Sequence, residues 1–357
     1  MIYFIIIMAL VYAGSKLLSS KNEPDIWAGG LKLMEVTNDP MVAILKNNTF
    51  DASKIKEYSG EKTKLFEFRP KTFDQFIGQK EAKERALTII KKAQQGMKAH
   101  FLISGMQGGG KTTYVEILGN TLGAKIIKRV GKQIDEVNLI EIINEINNST
   151  EQYVMLFVDE IDTMDSKILK IFNPMIESFE IAGKKIKPFI FAGATINKHK
   201  LLAKNPDTLD RIGNQILFER YNAEEIKQIL KQYNEQLYPT VSISLEVLDI
   251  IASNCKFNPR ISISFLEDYI IEKDIKKVMQ DHKIIQSGLT KKDIEILEVL
   301  LNSKRAMGAN SLAMQVKLSE KEYITEFEPY LIEYNYINRV PSRIISEKGK
   351  QLLEVIK

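Results

Sequence analysis

The 357-residue chain contains very little cysteine and histidine: Cys255 is its single cysteine, and it has three scattered histidines. A lone cysteine excludes an internal disulfide bond and fits a reducing compartment. So few nitrogen and sulfur ligands also exclude a zinc site of the cysteine and histidine type. We find no internal repeat and no low-complexity tract. These absences leave an ordinary globular protein that does not rely on disulfides or zinc.

Strong charge is missing as well. The net charge is +4, with 44% hydrophobic and 27% charged residues, which is typical of a globular chain. A small positive charge permits a nucleic-acid partner but does not indicate one by itself. The length predicts two or three domains with a sizeable core.

The N-terminus is a nearly continuous apolar run over residues 1–14. No positive residue precedes this run, so it lacks the basic region of a secretory signal. Lys16 and Lys21 follow it, and the positive-inside rule then places the rest of the chain in the cytoplasm. We expect a transmembrane anchor over residues 1–20, with membrane contact through residues 1–18. A buried N-terminal strand or helix is the alternative.

After a connector over residues 21–60, strands and helices alternate. HFLISG, YVMLFVDE and KPFIFAGAT predict three buried parallel strands, and such alternation is typical of an α/β fold with a parallel sheet. From Asn222 the pattern is helical, with AEEIKQILKQYNEQL, SLEVLDIIASNC and PRISISFLEDYIIEKDIKKVM as helices. From Gly288, three helices and a strand pair predict a winged helix, its first helix capped by Thr290. The predicted domains are residues 61–220, 221–287 and 288–357.

The segment after the first strand, GMQGGGKT, matches the pattern G-x-x-x-x-G-K-[ST]. Such a loop turns backbone N–H groups toward a phosphate, and the helix behind it favours negative charge. Lys111 is expected to reach the β- and γ-phosphates of ATP, and Thr112 to bind Mg²⁺. The predicted nucleotide-binding residues of this segment are Gly105, Gly108, Gly109, Gly110, Lys111, Thr112 and Thr113.

Two acids follow the second predicted strand. Asp159 is expected to hold Mg²⁺ through water, and Glu160 to orient the attacking water. Two exposed acids at a strand end are the plain alternative, but the phosphate loop upstream favours the catalytic interpretation.

From about Phe66 to its end, the chain resembles the RuvB family of AAA+ motors, which drive branch migration of Holliday junctions. The resemblance depends on FRPKTFDQFIGQ, LFVDEID, FAGAT, DRIG and NPRI in that order, and on the tail segments GLTKKDIEIL and EFEPYLIEYNYINRVPSRII. It implies an AAA+ core with a helical lid and a C-terminal winged helix, ATP and Mg²⁺ as cofactors, and a homo-oligomeric ring, a hexamer.

The resemblance also implies residue roles. Arg211 would be the arginine finger that reaches the γ-phosphate bound by the next subunit, and Arg260 the sensor-2 arginine of the lid. Ile77, Gly78 and Tyr221 would lie near the adenine. A polar residue after the GAT-type sequence senses the γ-phosphate in the family, and here either Thr195 or Asn197 is the candidate.

The chain departs from the family at two places. Leu209 stands where the first of two arginines around the finger is expected. In the family a long β-hairpin contacts the partner RuvA, but ESFEIAGKKIKP between Glu177 and Pro188 has room only for a short turn. The sequence therefore leaves binding of a standard RuvA open.

The predicted winged helix has no basic surplus: residues 289–357 contain 11 lysines and arginines and 10 acids, a net of +1. Arg339 and Arg343 flank the predicted wing turn, where they could meet DNA phosphates. A protein-binding tail is the alternative. On the third helix, Tyr323, Ile324, Phe327, Leu331 and Ile332 are predicted core residues.

These patterns predict an ATP-dependent DNA motor that acts on duplex or four-way junction DNA. Two alternatives stay open at this stage. One is a membrane-tethered AAA+ remodeller whose tail binds protein, and the other is a clamp-loader-like ATPase.

Overall fold

The computed structural model describes residues 68–204, 206–303, 305–339 and 342–356. The predicted anchor and connector lie outside these residues. Within the described part, no helix combines the length and the apolar character that crossing a membrane requires.

The first part of the described chain is a parallel sheet with helices on both faces. Its strands are β1 (Phe101–Ser104), β2 (Lys125–Val130), β3 (Val154–Asp159), β4 (Glu180–Ile181), β5 (Lys184–Lys185), β6 (Ile190–Thr195) and β7 (Asn214–Leu217). Its helices are α1 (Lys80–Gln94), α2 (Lys111–Leu122), α3 (Glu136–Asn147), α4 (Ser166–Ser178), α5 (Lys198–Lys204) and α6 (Pro206–Ile212). The five long strands lie in the order β2-β3-β6-β1-β7, all parallel. The predicted α/β fold with a parallel sheet is confirmed.

Successive residues of the central strands belong to different cores because side chains alternate across a strand. Leu102 of β1 packs into the core on one face of the sheet, while Phe101 and Ile103 pack into the core on the other. In β3, Leu156 packs into the same core as Leu102, and Phe157 packs into the core on the opposite face. All three predicted strands are therefore buried on both faces. Two further strands, β2 and β7, were not predicted.

The sheet part contains a buried histidine, His100, immediately before β1. Its Nδ1 accepts the Phe191 N–H at 2.9 Å, so Nε2 carries the proton and donates to the Ile176 carbonyl at 2.9 Å. Burial lowers the pKa of His100 to about 4. The side chain is thus a neutral core residue with both ring nitrogens satisfied.

We expect this histidine to make stability depend on pH. Below its ordinary pKa of 6.5, the unfolded chain binds a proton that the folded chain excludes down to about pH 4. Stability is therefore full above pH 6.5 and falls by about 2–3 kcal/mol as the pH drops toward 4. Urea unfolding at several pH values should show this slope in the wild type and lose it in His100→Gln. The exposed His199 provides the control, and a His199→Gln variant with the larger loss of slope would contradict the assignment.

A short hairpin follows α4. β4 and β5 pair antiparallel with two residues each, joined by Ala182 and Gly183 at φ 48° and 74°. Two successive left-handed residues are typical of a type I′ turn. The segment from Glu177 to Pro188 thus contains a hairpin of the smallest size.

The second part is helical, with α7 (Ala223–Leu237), α8 (Leu245–Asn254), α9 (Pro259–Glu272) and α10 (Ile275–Asp281). These four helices share one core. The single helix predicted from Pro259 onward is wrong in its length. It ends where Lys273 adopts a left-handed conformation, and Asp274 begins the next helix by accepting the Lys276 N–H at 2.9 Å.

The third part has a core of its own. Its elements are the strand pairs β8 (Ile284–Gln286) with β9 (Leu289–Thr290) and β10 (Ile337–Arg339) with β11 (Arg343–Ile345), and the helices α11 (Lys291–Ser303), α12 (Ala309–Gln315), α13 (Glu320–Glu322), α14 (Glu328–Glu333) and α15 (Glu347–Ile356). Three helical segments followed by a strand pair confirm the predicted winged helix. The hairpin β8–β9 and the helix α15 were not predicted.

Helices α13 and α14 are one helical path joined by a π-helical turn over Tyr323–Phe327. Pro329 lies in the first turn of α14, and because proline has no N–H, the preceding turn widens. Tyr323 and Leu331 are fully buried, with Ile324, Phe327 and Ile332 packed against the same core. The predicted core residues of this helix are confirmed.

Candidate nucleotide site

A cleft of about 700 Å³ lies between the carboxyl ends of the central strands and the helices α7 and α9. The phosphate loop follows β1, Asp159 ends β3 and Thr195 ends β6, and residues from all three line the cleft. Because neighbouring parallel strands end at the same edge of a sheet, segments far apart in sequence meet here.

The glycines of the phosphate loop occupy positions where a side chain does not fit. Gly108 has φ 77°, and an added Cβ would lie 2.5 Å from Asn258 Oδ1. Gly110 has φ 90°, and its Cβ would lie 3.1 Å from the Phe76 ring. At Gly105 an added Cβ would lie 2.6 Å from Phe218 Cβ. Glycine is therefore favoured at these three positions by close packing, and at Gly108 and Gly110 also by backbone conformation.

We expect Gly108→Ala to lower the affinity for ATP by about tenfold or more. Alanine at this φ carries strain of about 1–2 kcal/mol in addition to the clash, and relieving both moves the loop away from the conformation in which its N–H groups face a phosphate. A loss of about 1.4 kcal/mol of binding free energy corresponds to a factor of ten. Gly96→Ala is a matched control because Gly96 has φ 70° and open space around its Cβ position. Titration with a fluorescent ATP analogue measures both, and equal affinities for the two variants would contradict the prediction.

Two cations converge on the loop. Lys111 is buried, and its Nζ donates to the carbonyls of Gly105 at 2.9 Å and Met106 at 2.7 Å. Burial lowers the pKa of Lys111 to about 8, with Asp159 opposing this shift and the Arg260 charge adding to it. Arg260 lines the same cleft from α9. Two positive groups that line the same cleft favour an anion placed between them.

Two residues that line the cleft have donor atoms that fit a magnesium site. Thr112 and Asp159 both line the cleft, and hydroxyl and carboxylate oxygens are ligands that Mg²⁺ accepts. Glu160 follows in a left-handed conformation, φ 49°, and is exposed to the cleft. Both acids therefore line the cleft, and the division of roles, in which Asp159 binds the metal and Glu160 orients the attacking water, stays a prediction.

The two sensor candidates occupy different surroundings. Thr195 lines the cleft; its hydroxyl donates to Asp162 Oδ1 at 2.6 Å and accepts the Asn197 N–H at 2.9 Å. The Asn197 side chain instead accepts the Lys200 N–H at 3.0 Å, where it caps α5. Its place in the cleft favours Thr195 as the sensor of the γ-phosphate. The hydroxyl donates to Asp162 here, so this hydrogen bond must break before the hydroxyl can donate to a phosphate.

The predicted adenine side of the cleft is closed by the junction with the lid. Ile77 and Tyr221 line the cleft, and the buried Tyr221 hydroxyl donates to the Gly109 carbonyl at 3.1 Å. Gly78 lies against the Tyr221 ring and Glu225, which a Cβ would approach within 3.0 Å and 2.9 Å.

Sequence reasoning missed Gln79, whose side chain connects two distant segments. Its amide donates to the Glu219 carbonyl at 2.7 Å and accepts the Glu219 N–H at 3.0 Å. These two bonds hold the adenine-side segment against the chain that enters the lid.

Asn258 was also missed. Its amide nitrogen donates to the Gln107 carbonyl of the phosphate loop at 3.0 Å, and its oxygen accepts the Arg260 N–H at 3.0 Å. Its position directly before Pro259 is a helix-start signal that predicts the cap, but the contact with the phosphate loop depends on tertiary structure.

Arg211 lies apart from the cleft, near the end of α6. Its Nε donates to Glu177 Oε2 at 2.8 Å, and this ion pair raises the pKa of Arg211. The structure does not bring Arg211 together with the chain's own phosphate loop. An arginine finger at Arg211 must therefore act on the nucleotide that another subunit binds, as the prediction states.

The two arginines of the winged helix differ sharply. Arg339 is exposed, with Glu328 Oε2 at 4.0 Å from NH1. Arg343 is 7% exposed and pairs with the buried Glu328 through Nε and NH2. The prediction that Arg343 meets DNA phosphates is corrected here: its guanidinium is an interior group that neutralises Glu328.

The outer face of the α13–α14 path is acidic. Glu320, Glu326 and Glu333 are exposed along it, with Lys321 as the exposed cation. A recognition helix of helix-turn-helix type lies in the major groove, where phosphates repel acids. This face is therefore poorly suited to lie in a major groove.

Two protein-family models match the chain. The model described as the Holliday junction DNA helicase RuvB P-loop domain matches residues 68–202, and the RuvB C-terminal winged helix domain matches residues 286–354. A protein of Ureaplasma urealyticum, the Holliday junction branch migration complex subunit RuvB, is 29% identical over 314 residues, which cover 81% of this chain and 96% of that protein. The corresponding subunit of Campylobacter lari is 29% identical over 330 residues, covering 84% of this chain and 95% of that protein.

The fold resembles solved structures over the same range. The Thermotoga maritima RuvB Holliday junction branch migration motor has a TM-score of 0.70 and 27% identity, covering 80% of this chain and 98% of that one. The parallel sheet, phosphate loop, paired acids, lid and winged helix define an ATP-hydrolysing enzyme of the AAA+ class. Within that class, the family models and the solved structure both point to RuvB, for the ATPase domain and for the winged helix. The chain belongs to the RuvB family.

Proposed function

We propose that this chain assembles into an oligomeric ring, a hexamer, that hydrolyses ATP to drive branch migration of four-way junction DNA or translocation along duplex DNA. The function is that of its relatives, which are named as Holliday junction branch migration subunits. The observation that carries the proposal is the cleft, which is lined by a phosphate loop, paired acids and a lid arginine. The same chain also contains the RuvB type of winged helix.

Within this proposal, ATP is held by the loop from Gly105 to Thr113 and Mg²⁺ by Thr112 and Asp159. Bound Mg²⁺ supplies charge neutralisation at the phosphates. Glu160 orients the attacking water, Thr195 senses the γ-phosphate and Arg260 contacts the nucleotide from the lid. The domain division at 220/221 and 287/288 belongs to the same proposal, supported by the separate core of each part.

The ring is supported by the place of Arg211. The arginine lies outside its own cleft, so it stabilises transition-state charge only when a neighbouring subunit presents a nucleotide to it. Hydrolysis should therefore depend on assembly and rise steeply with protein concentration.

DNA contact is assigned to the wing and not to the acidic helix face. Arg339 is the exposed cation on β10, and a phosphate contact there positions the protein without reading sequence. We expect DNA affinity to fall steeply with salt, and Arg339→Ala to weaken it for all sequences alike. Lys350→Ala on α15 is a control cation, since Lys350 donates to Glu347 at 2.6 Å.

The decisive experiment measures the ATPase rate of a fragment lacking residues 1–20, alone, with linear duplex and with a four-way junction. Stimulation by DNA that is lost in Arg211→Ala supports the ring motor. An ATPase indifferent to both DNAs would contradict it, and would favour the remodeller or clamp-loader alternatives, which the RuvB matches do not favour.

Two further parts of the proposal concern partners and location. The two-residue strands of the β4–β5 hairpin argue against a standard RuvA contact at this place, so any such partner binds differently.

The cytoplasmic location and the membrane anchor over residues 1–20 stay predictions from sequence. Fractionation of the full chain tests the anchor, and recovery only in the soluble fraction would contradict it.

A further inference from the structure

Residues Lys256, Phe257 and Asn258, which we name the elbow, connect α8 to α9. Lys256 and Phe257 both adopt left-handed backbone conformations, φ 51° and 52°. Such conformations are uncommon for residues other than glycine, and two in succession persist only where the surroundings hold them. Contacts on both sides of the elbow provide this support.

On one side the elbow contacts the winged helix. Lys256 Nζ donates to both carboxylate oxygens of Asp293, at 2.9 Å and 2.8 Å, and Asp293 is fully buried. The same Nζ lies 5.2 Å from the centre of the Tyr330 ring. The Phe257 ring stacks on that of Tyr334, with centres 5.5 Å apart and planes 19° apart. A buried ion pair and a ring stack thus join the elbow to α11 and α14.

On the other side the elbow contacts the phosphate loop. Asn258 donates to the Gln107 carbonyl and caps the helix that carries Arg260. Any shift of Gln107 or Arg260 on phosphate binding therefore acts on the elbow within one or two residues of Lys256.

A second path runs parallel to the first. Arg220 precedes Tyr221, whose hydroxyl contacts the Gly109 carbonyl. The Arg220 guanidinium pairs with Glu333 of α14, donates to the Lys256 carbonyl at 3.4 Å and lies 5.9 Å from the centre of the Tyr330 ring. The lid entrance and the elbow thus meet at the same place on the winged helix.

We propose that the elbow is a positioning element, in which Asn258 sets the phosphate loop and Arg260 while Lys256 fixes the same backbone to the winged helix, so that phosphate binding and winged-helix position are coupled. The inference deepens the proposed function and rests on it. Because such coupling is reciprocal, winged-helix contacts also change the affinity for nucleotide.

Hydrogen exchange of the full chain, with and without a non-hydrolysable ATP analogue and without DNA, tests the winged-helix half. We expect the analogue to change exchange of the amides over residues 328–334 by about fivefold or more in the wild type. Lys256→Gly keeps the left-handed backbone but removes the ion pair, so the response should be confined to the lid. Lys273→Gly is the matched control, an exposed lysine with φ 56°, and should respond like the wild type.

If Lys256→Gly does not fold because Asp293 is left unpaired, the double variant Lys256→Met with Asp293→Asn removes both charges and keeps an acceptor for Thr290. An unaltered winged-helix response in the folded variant, or no response in the wild type, would overturn the coupling. Because DNA is absent, this result is independent of whether DNA stimulates the ATPase.

The phosphate-loop half has its own test. Asn258→Ser retains a good helix cap but is too short to reach Gln107. We expect its KM for ATP to rise about fivefold or more while its melting temperature stays close to that of the wild type. Asn258→Ala, which loses both contacts, should show both changes, because losing a helix cap to alanine costs about 0.5–2 kcal/mol. An unchanged KM in Asn258→Ser would remove the positioning role.

Discussion

Replacing Arg211 with alanine should lower the ATP turnover number by about a thousandfold or more, the usual effect of losing an arginine finger. The affinity for ATP should stay within about twofold, because Arg211 does not line its own cleft. Turnover measured with saturating ATP and affinity measured with a fluorescent analogue separate the two effects.

Two controls sharpen this experiment. Arg85→Ala removes an exposed arginine of α1 and should leave turnover unchanged. Glu177→Gln removes the partner that holds Arg211 and should keep turnover, which distinguishes the finger from a structural ion pair. Mixing Arg211→Ala with a Lys111→Ala variant should restore part of the activity, since each supplies what the other lacks. Normal turnover in Arg211→Ala would end the assignment.

Replacing Glu160 with glutamine should produce a chain that binds ATP and does not hydrolyse it. The amide keeps the size of the side chain but no longer attracts the proton of the attacking water, and loss of such a group costs about a hundredfold or more. The ATP-bound chain should then accumulate as the ring, measurable by analytical ultracentrifugation with and without ATP.

Glu136→Gln is the matched control for this change, because Glu136 is an exposed acid at the start of α3. It should hydrolyse ATP at the wild-type rate. A Glu160→Gln variant with more than about half of that rate would show that another group orients the water, and Asp162 would be examined next because its carboxylate contacts Thr195.

Much of the fold follows from local signals in the sequence. The runs FLIS, VMLFVD and IFAGAT are buried on both faces, and their apolar character predicts strands directly. By contrast, β2 is a partly exposed edge strand with the sequence KIIKRV, and its alternation with charged residues hides it. The four-residue strand β7 is recognisable only through its pairing with β1.

The residues of the nucleotide site also fall into two groups, those that a local motif predicts and those whose contacts only the tertiary structure shows. The phosphate loop and the paired acids are contiguous motifs, so their positions could be predicted. The contacts of Gln79 with Glu219 span 140 residues, and no local pattern indicates them. The burial of Arg343 was missed for a related reason: an arginine beside a turn is normally exposed, and its partner Glu328 lies on another element.

The small β4–β5 hairpin has a consequence for how the motor is linked to other proteins. Two residues in each strand project about 7 Å, at about 3.4 Å a residue, so the hairpin has little reach beyond the body of the domain. A partner that added a strand to its edge would find at most two residues to pair with, and main-chain bonds supply most of the affinity in that mode of binding. Such a partner would have to approach the domain surface itself and rely on exposed side chains such as Lys184 and Lys185.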